Sequence, residues 1–333
     1  MKRVLDYVWP VVGLVAVAFS FWLLAQELRS ISAQDVLAAM AAIATWQLAA
    51  AAAATIAGYA ALAWYDRIAL LHLGVTHISW TFITLASFTT YALPHNIGAS
   101  VLSGAMVRYR AYSSRGLTAS QIAVLVGLCT FTFLLGVVLL TGLVLIFEPH
   151  VLARLTGVLP RFMEIEALAR AVGAVLVALV ALYLIGSLLG LPPLRVRAFR
   201  LEYPRPAVTL RQLAASTLDL LFTGAIVYFL LPWEANPGFF VVLAVFLASF
   251  SAALISHAPG GLGVFELVFV SAMPDVPDAE LIAALVLFRV LYLLIPLAVS
   301  LVVVAMFERR RLMDALRRKA LRLEKRDGRG EGE

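Results

Sequence analysis

Three ionisable side chains lie inside the apolar runs of this sequence: Asp219 within 207–231, Glu266 within 238–273, just after a break, and Arg289 within 280–306. Charge at membrane depth is costly, so such groups mark substrate or ion sites by default. An arginine there can hold a phosphate, and a carboxylate can face a cation or take a proton. Two histidines, His95 and His257, flank breaks in apolar runs. The breaks read Pro94-His95-Asn96-Ile97-Gly98 and Pro259-Gly260-Gly261-Leu262-Gly263, and they align as P-x-[NG]-[IL]-G. Proline ends a helix and glycine lets the chain turn closely. Each break therefore starts a second half-helix whose first N–H groups lack partners and carry partial positive charge. Such an end is an anion site. The structural alternative is plain: Asp219 or Glu266 pairs with Arg289 to hold helices together, the histidines are satisfied interior imidazoles, and the glycines let helices approach.

The elements that position these residues are membrane helices. The 333 residues are 62% hydrophobic and 14% charged, where a soluble domain carries about 25% charged residues. Several apolar runs exceed the roughly 18 residues that a span requires. The net charge of +6 does not imply nucleic acid, because Lys and Arg collect on the cytoplasmic side of membrane proteins. Cys129, the one cysteine, excludes an intrachain disulfide and a cysteine-based metal site. Full spans are predicted at 7–25, 42–64, 121–147, 168–190, 207–231 and 280–306, with 7–25 an uncleaved first span. The regions 79–107 and 238–273 are broken, and about 11 residues after a break give roughly 16 Å of helix, half a membrane. Both are expected to be re-entrant hairpins, tolerated where protein or a watery cavity surrounds the turn.

The order span, span, hairpin, span occurs twice, which predicts an all-α polytopic fold of six full spans and two re-entrant hairpins in an inverted repeat. Repeat one is 1–147, an outside loop follows at 148–166, repeat two is 167–307, and 308–333 is a basic cytoplasmic tail. Both termini are then cytoplasmic, along with most of the 26 Lys and Arg. On this topology the second half-helix of 79–107 returns Arg108 and Arg110 to water or lipid phosphate. Inverted repeats with broken helices at the midplane are a transporter architecture. No metalloprotease, nucleophile-elbow or P-loop motif occurs. The chain is accordingly expected not to be an enzyme and to need no cofactor. A membrane-embedded enzyme would have only His95, His257 and Glu266 to work with.

The strings HNIGASVLSGAMVRYRAY and SHAPGGLGVFE, with VGLCTFTFLLG, FEP and LFRVLYLLIP, resemble the membrane domain of bacterial lysyl-phosphatidylglycerol synthase/flippases of the MprF type. The resemblance covers residues 1 to about 310. It implies a flippase-like domain in the bacterial inner membrane that moves aminoacylated phosphatidylglycerol or a related lipid between leaflets. The family's aminoacyl-transferase domain has no counterpart here, so lipid aminoacylation is not carried over. The expected site is His95, Asn96, Gly98, Arg108, Arg110, Asp219, His257, Gly260, Gly261, Gly263, Glu266 and Arg289, with membrane phospholipids as partners. A secondary transporter of a small polar solute is the rival reading. A homo-oligomer and a separately encoded lipid synthase stay open as partners.

Overall fold

A computed structural model describes residues 32–97, 100–154, 166–191, 194–196, 199–201, 204–256, 261–307 and 309. The predicted first span, 7–25, and the tail, 308–333, lie outside this set apart from Arg309. The elements run α1 (Ala33–Ala42), α2 (Thr45–His72), α3 (Trp80–Ile97), α4 (Ser100–Ser113), α5 (Ala119–Phe147), α6 (Val151–Arg154) and α7 (Glu166–Leu188). A short antiparallel ladder follows, β1 (Leu194–Val196) with β2 (Phe199–Leu201). Then come α8 (Pro206–Leu230), α9 (Phe239–Ser256), α10 (Val264–Ala272) and α11 (Asp278–Arg289), which continues through a π-helical segment (Val290–Leu294) to Phe307. Among the described residues six helices are long and apolar enough to cross a membrane: α2, α5, α7, α8, α9 and α11 with its extension. The chain is a multi-pass membrane protein.

The spine of the fold is α2 packed along α8. Gln47 Nε2 at the start of α2 donates to the carbonyls of Phe229 and Leu231, each at 3.0 Å. These are carbonyls at a helix C-terminus, which have no partner within their own helix. Gly58 packs midway against Thr223 and Phe222. Near the other end Tyr65 reaches Asp219. The two helices are thus antiparallel over their lengths. The small buried residues Ala51, Ala54 and Gly58 of α2 permit the approach, since small residues let membrane helices pack at backbone distance. On the far side of α8, α5 runs parallel to it, with Thr132 against Gln212 and Gly136 against Ser216. A Cβ on Gly136 would lie 2.6 Å from Ser216 Cβ, and one on Gly173 of α7 would lie 2.7 Å from the Gly142 carbonyl of α5. Gln212 also accepts from Tyr183 of α7, tying three helices together.

Both broken regions fold back on themselves. In the first, Gly104 of α4 lies against Thr90 and Pro94 of α3, and Arg108 meets Tyr91. Pro94 does not end the first half-helix as expected; α3 continues to Ile97 with Pro94 inside it. Proline removes the bond to the carbonyl four residues earlier, and a Cβ on Gly104 would stand 3.6 Å from that carbonyl, on Thr90. The neighbouring helix thus covers the backbone group that proline leaves unbonded. In the second region the rings of Phe246 and Phe265 are 6.0 Å apart, and a Cβ on Gly261 would be 2.8 Å from Ala253 Cβ. This region is not built of half-length pieces on both sides of its break, because α9 by itself is of spanning length.

The two hairpins open at opposite ends of the bundle. His77, before α3, sits 3.3 Å from the Arg115 carbonyl, after α4. That end also holds the junction of α2 and α8, where Leu71, His72, Gly74, Pro204, Arg205 and Val208 line a cavity of about 290 Å³. The second hairpin begins just beyond the C-terminus of α8 and closes at Asp275, which pairs with Arg154 beyond the C-terminus of α5 at 2.6 Å. The first end carries Arg67, Arg110, Arg115, Arg205 and Arg211. The second carries Glu148, Glu166, Glu234, Asp275, Asp278 and Glu280, with Arg154 and Arg170 paired to Asp275 and Glu166.

Candidate functional site

Among the described residues two arginine–carboxylate pairs and a further buried carboxylate, Asp219, stand inside this frame. The first pair joins α4 to α2. Arg108 Nη2 is 2.7 Å from Asp66 Oδ1 and its Nε is 3.2 Å from the same oxygen. Tyr112 donates to Asp66 Oδ2 at 2.8 Å, and Cys129 of α5 donates its thiol to Oδ1 at 3.3 Å. Arg108 also donates to Tyr91 at 2.9 Å and lies over its ring. Asp66 is fully buried and Arg108 is 5% exposed. Arg108 therefore does not reach water or lipid phosphate as the sequence suggested. Antiparallel packing of α4 turns it toward α2, where its charge is matched by a carboxylate. Arg110, two residues on, is exposed.

Sequence reasoning missed Asp66 because the second span was ended at 64. The helix runs on to His72 and carries Asp66 into the protein beside Arg67. The signal available was an acidic residue directly at the predicted end of an apolar run.

The second pair joins α10 to α11. Glu266 and Arg289 form a salt bridge, one of the alternatives the sequence presented. Glu266 also caps its own helix: its Oε2 accepts from the Gly263 N–H at 2.9 Å. Gly263 holds φ +78° and Gly261 φ +63°, left-handed values that glycine adopts without a Cβ penalty. The expectation that Gly263 would offer its N–H to an anion is corrected here, because the protein's own carboxylate already occupies it. The Glu266 and Arg289 side chains are 15% and 17% exposed, so this pair is less enclosed than the first.

Asp219 joins neither pair. Its Oδ2 accepts from Tyr65 at 3.0 Å, its Oδ1 is buried without a hydrogen-bond partner, and the residue is 3% exposed. Thr223 donates to the Asp219 carbonyl at 2.8 Å. Tyr59 donates to the Tyr292 carbonyl at 3.0 Å, within the π segment. π-Bulges recur at functional sites.

The remaining sequence candidates fall at the breaks. Gly98, His257 and Gly260 lie outside the described residues. His95 and Asn96 fall on the last turn of α3. How near the two breaks come to each other is thus left as an expectation.

The chain was compared with known proteins. No protein-family model matches it. It is 32% identical over 248 residues to the inner membrane protein YbhN of Escherichia coli, covering 73% of this chain and 74% of that one. It is 30% identical over 304 residues to the uncharacterized protein slr0712 of Synechocystis, covering 89% and 90%. This chain belongs to the YbhN family. A shorter match, 30% over 92 residues, reaches the phosphatidylglycerol lysyltransferase of Staphylococcus haemolyticus, where it spans 10% of that protein and 27% of this chain. YbhN and this chain thus share most of their lengths, while the lysyltransferase shares one segment.

Proposed function

We propose that this YbhN relative is a lipid translocase of the bacterial inner membrane, moving a phosphatidylglycerol-like lipid, plain or aminoacylated, between leaflets. The observation that carries the reading is the pair of fold-back hairpins opening at opposite ends of the bundle. With the antiparallel α2 and α8 as equivalent second helices, this arrangement fits an inverted repeat in which each hairpin is re-entrant. Carriers of that architecture place substrate where broken helices meet and rock one repeat against the other. The basic end is then cytoplasmic and the acidic end outside, by the positive-inside rule. The partial match to a phosphatidylglycerol lysyltransferase supports a lipid of that class.

The part-exposed pair does the binding in this reading. Arg289 exchanges Glu266 for the lipid phosphate, and Glu266 turns to the ammonium of an aminoacyl head group where one is present. Each charge keeps a partner throughout, which avoids the several kcal/mol that an uncompensated buried ion costs. The sealed Asp66–Arg108 pair holds the first hairpin to α2 and stays closed. The protein carries out no covalent step and draws on no cofactor; phospholipids are its partners. The test is a leaflet-asymmetry assay in proteoliposomes with fluorescent phosphatidylglycerol, lysyl-phosphatidylglycerol and phosphatidylcholine. Faster loss of asymmetry for the first two than for phosphatidylcholine, abolished by Arg289→Met, is expected. Equal rates for all three and for protein-free vesicles would end the proposal.

A further inference from the structure

The buried carboxylate that neither pair uses has a distinct chemistry. Asp219 Oδ2 accepts from Tyr65, Oδ1 is buried without a hydrogen-bond partner, and the Thr223 hydroxyl, which donates to the Asp219 backbone carbonyl, lies beside the carboxylate. An ionised carboxylate in such a place costs far more than a neutral one. Arg108 is engaged by Asp66 and Arg289 by Glu266. The titratable groups near Asp219 are Tyr59 and Tyr65 of α2, with Tyr292 of the π segment. Tyr91 of α3 meets Tyr65 edge-on at 6.4 Å. Among the helices packed on α8, α9 carries no ionisable side chain and α5 carries Cys129 alone; α7 carries Glu166 and Arg170 in its first turns and Tyr183, which is bound to Gln212, and α11 carries Asp278 and Glu280 in its first turn and Arg289 at its end.

A metal cation at this site would need several oxygen ligands. Among the described residues no cluster of His, Cys, Asp or Glu surrounds Asp219, and the nearby hydroxyls of Tyr65, Tyr59 and Thr223 are neutral ligands that leave a metal's charge largely unmatched. A proton neutralises the charge without any new ligand shell. There is also a line of polar groups leading away from Asp219. Tyr65 touches Tyr91, Tyr91 accepts from Arg108, and Arg108 meets Asp66, which lies beside Tyr112 near the end of α4. That line runs toward the basic end of the bundle and stays buried, with Asp66 and Tyr112 both 0% exposed.

The geometry points to Asp219 as a proton-binding site that couples the protein's transport cycle to proton movement. The step is a simple transfer: a proton from water joins Asp219 Oδ1 and later leaves it. The coupling half of this inference rests on the translocase reading, and the proton-binding half does not.

Two measurements on the full chain separate them. The first is an infrared pH titration of the purified protein in lipid. A protonated-carboxyl C=O band is expected that disappears in Asp219→Asn and shifts in frequency in Tyr65→Phe, where its hydrogen bond is lost. Identical bands in wild type and both variants overturn proton binding, and Tyr65→Phe keeps the test alive should Asp219→Asn fold poorly. The second uses fluorescent phosphatidylglycerol in vesicles with an imposed pH gradient. A several-fold change in wild-type rate with the gradient is expected, absent in Asp219→Asn. A wild-type rate indifferent to the gradient, or an Asp219→Asn rate equally responsive, overturns coupling. If no lipid moves, the translocase reading fails, coupling falls with it, and the infrared result still decides whether Asp219 binds the proton.

Discussion

At the residue scale the two arginine–carboxylate pairs invite opposite expectations. Asp66 is enclosed and accepts from Arg108, Tyr112 and Cys129. Removing one member leaves a buried charge uncompensated, so Asp66→Leu is expected to cost about 3–5 kcal/mol, read as a lowered melting temperature in detergent. Adding Arg108→Met should recover part of that loss. Recovery stays incomplete until Tyr112→Phe is included, because the tyrosine hydroxyl would otherwise be buried without its acceptor. No recovery in the double variant would show that the pair is more than a structural clamp. Glu266 and Arg289 behave differently in the translocase reading. Glu266→Gln retains an oxygen that can accept from the Gly263 N–H while losing the ion pair. Its melting temperature should fall less than that of Asp66→Leu, because this pair is part-exposed, while lipid movement drops sharply. A large drop in melting with unchanged lipid movement would make this pair structural.

At the element scale, close packing decides which glycines are replaceable. Gly136 and Gly173 stand where an added Cβ would fall within 3 Å of a neighbouring helix, whereas Gly127, also in α5, meets nothing within 4 Å. Gly136→Val is expected to destabilise by at least the 1–3 kcal/mol typical of overpacking, and Gly127→Ala to be close to neutral. Thermal melts of the two variants side by side check this. Gly261 combines both constraints, a left-handed φ and a contact with Ala253. Gly261→Val should therefore loosen α9 from α10 and move the Glu266 cap away from Arg289. Wild-type melting and transport in that variant would mean that the fold-back of the second hairpin is not needed.

At the scale of the whole molecule, the distribution of charge sets orientation. Arg115 and Arg205 stand at one end, Asp275 and Glu280 at the other. The distance along α2 from Trp46 to Arg67 is about 31 Å at 1.5 Å per residue, close to the roughly 30 Å of a bilayer's hydrocarbon. Trp46 packs edge-on to Trp233 at 5.6 Å, and Arg67 lies over the Trp80 ring; aromatic rings favour both interfaces. Single cysteines at the exposed positions Ser114 and Asp278 should react with an impermeant reagent from opposite sides, Ser114 from the cytoplasm. The background should be Cys129→Ser, which keeps a donor for Asp66. Labelling of both from one side would refute the orientation and the opposed hairpins together.

Some of this was legible in the residues alone. Apolar runs of spanning length follow from the cost of unbonded backbone in hydrocarbon, which only helix length and composition need satisfy. The breaks were legible because Pro94 and the glycines at 260, 261 and 263 act on the chain locally. Glu266 pairing with Arg289 was one of a few options that so sparse a set of charges allowed. Tertiary structure alone decided the rest. Whether a proline ends a helix depends on what covers the carbonyl it leaves unbonded, and Gly104 supplies that cover from another helix. Whether Arg108 faces water depends on which way α4 turns, and its partner Asp66 comes from α2. That Asp219 stands apart from both arginines, with Tyr65 on its carboxylate, depends on the antiparallel register of α2 and α8, a relation between residues far apart in sequence that no local pattern encodes.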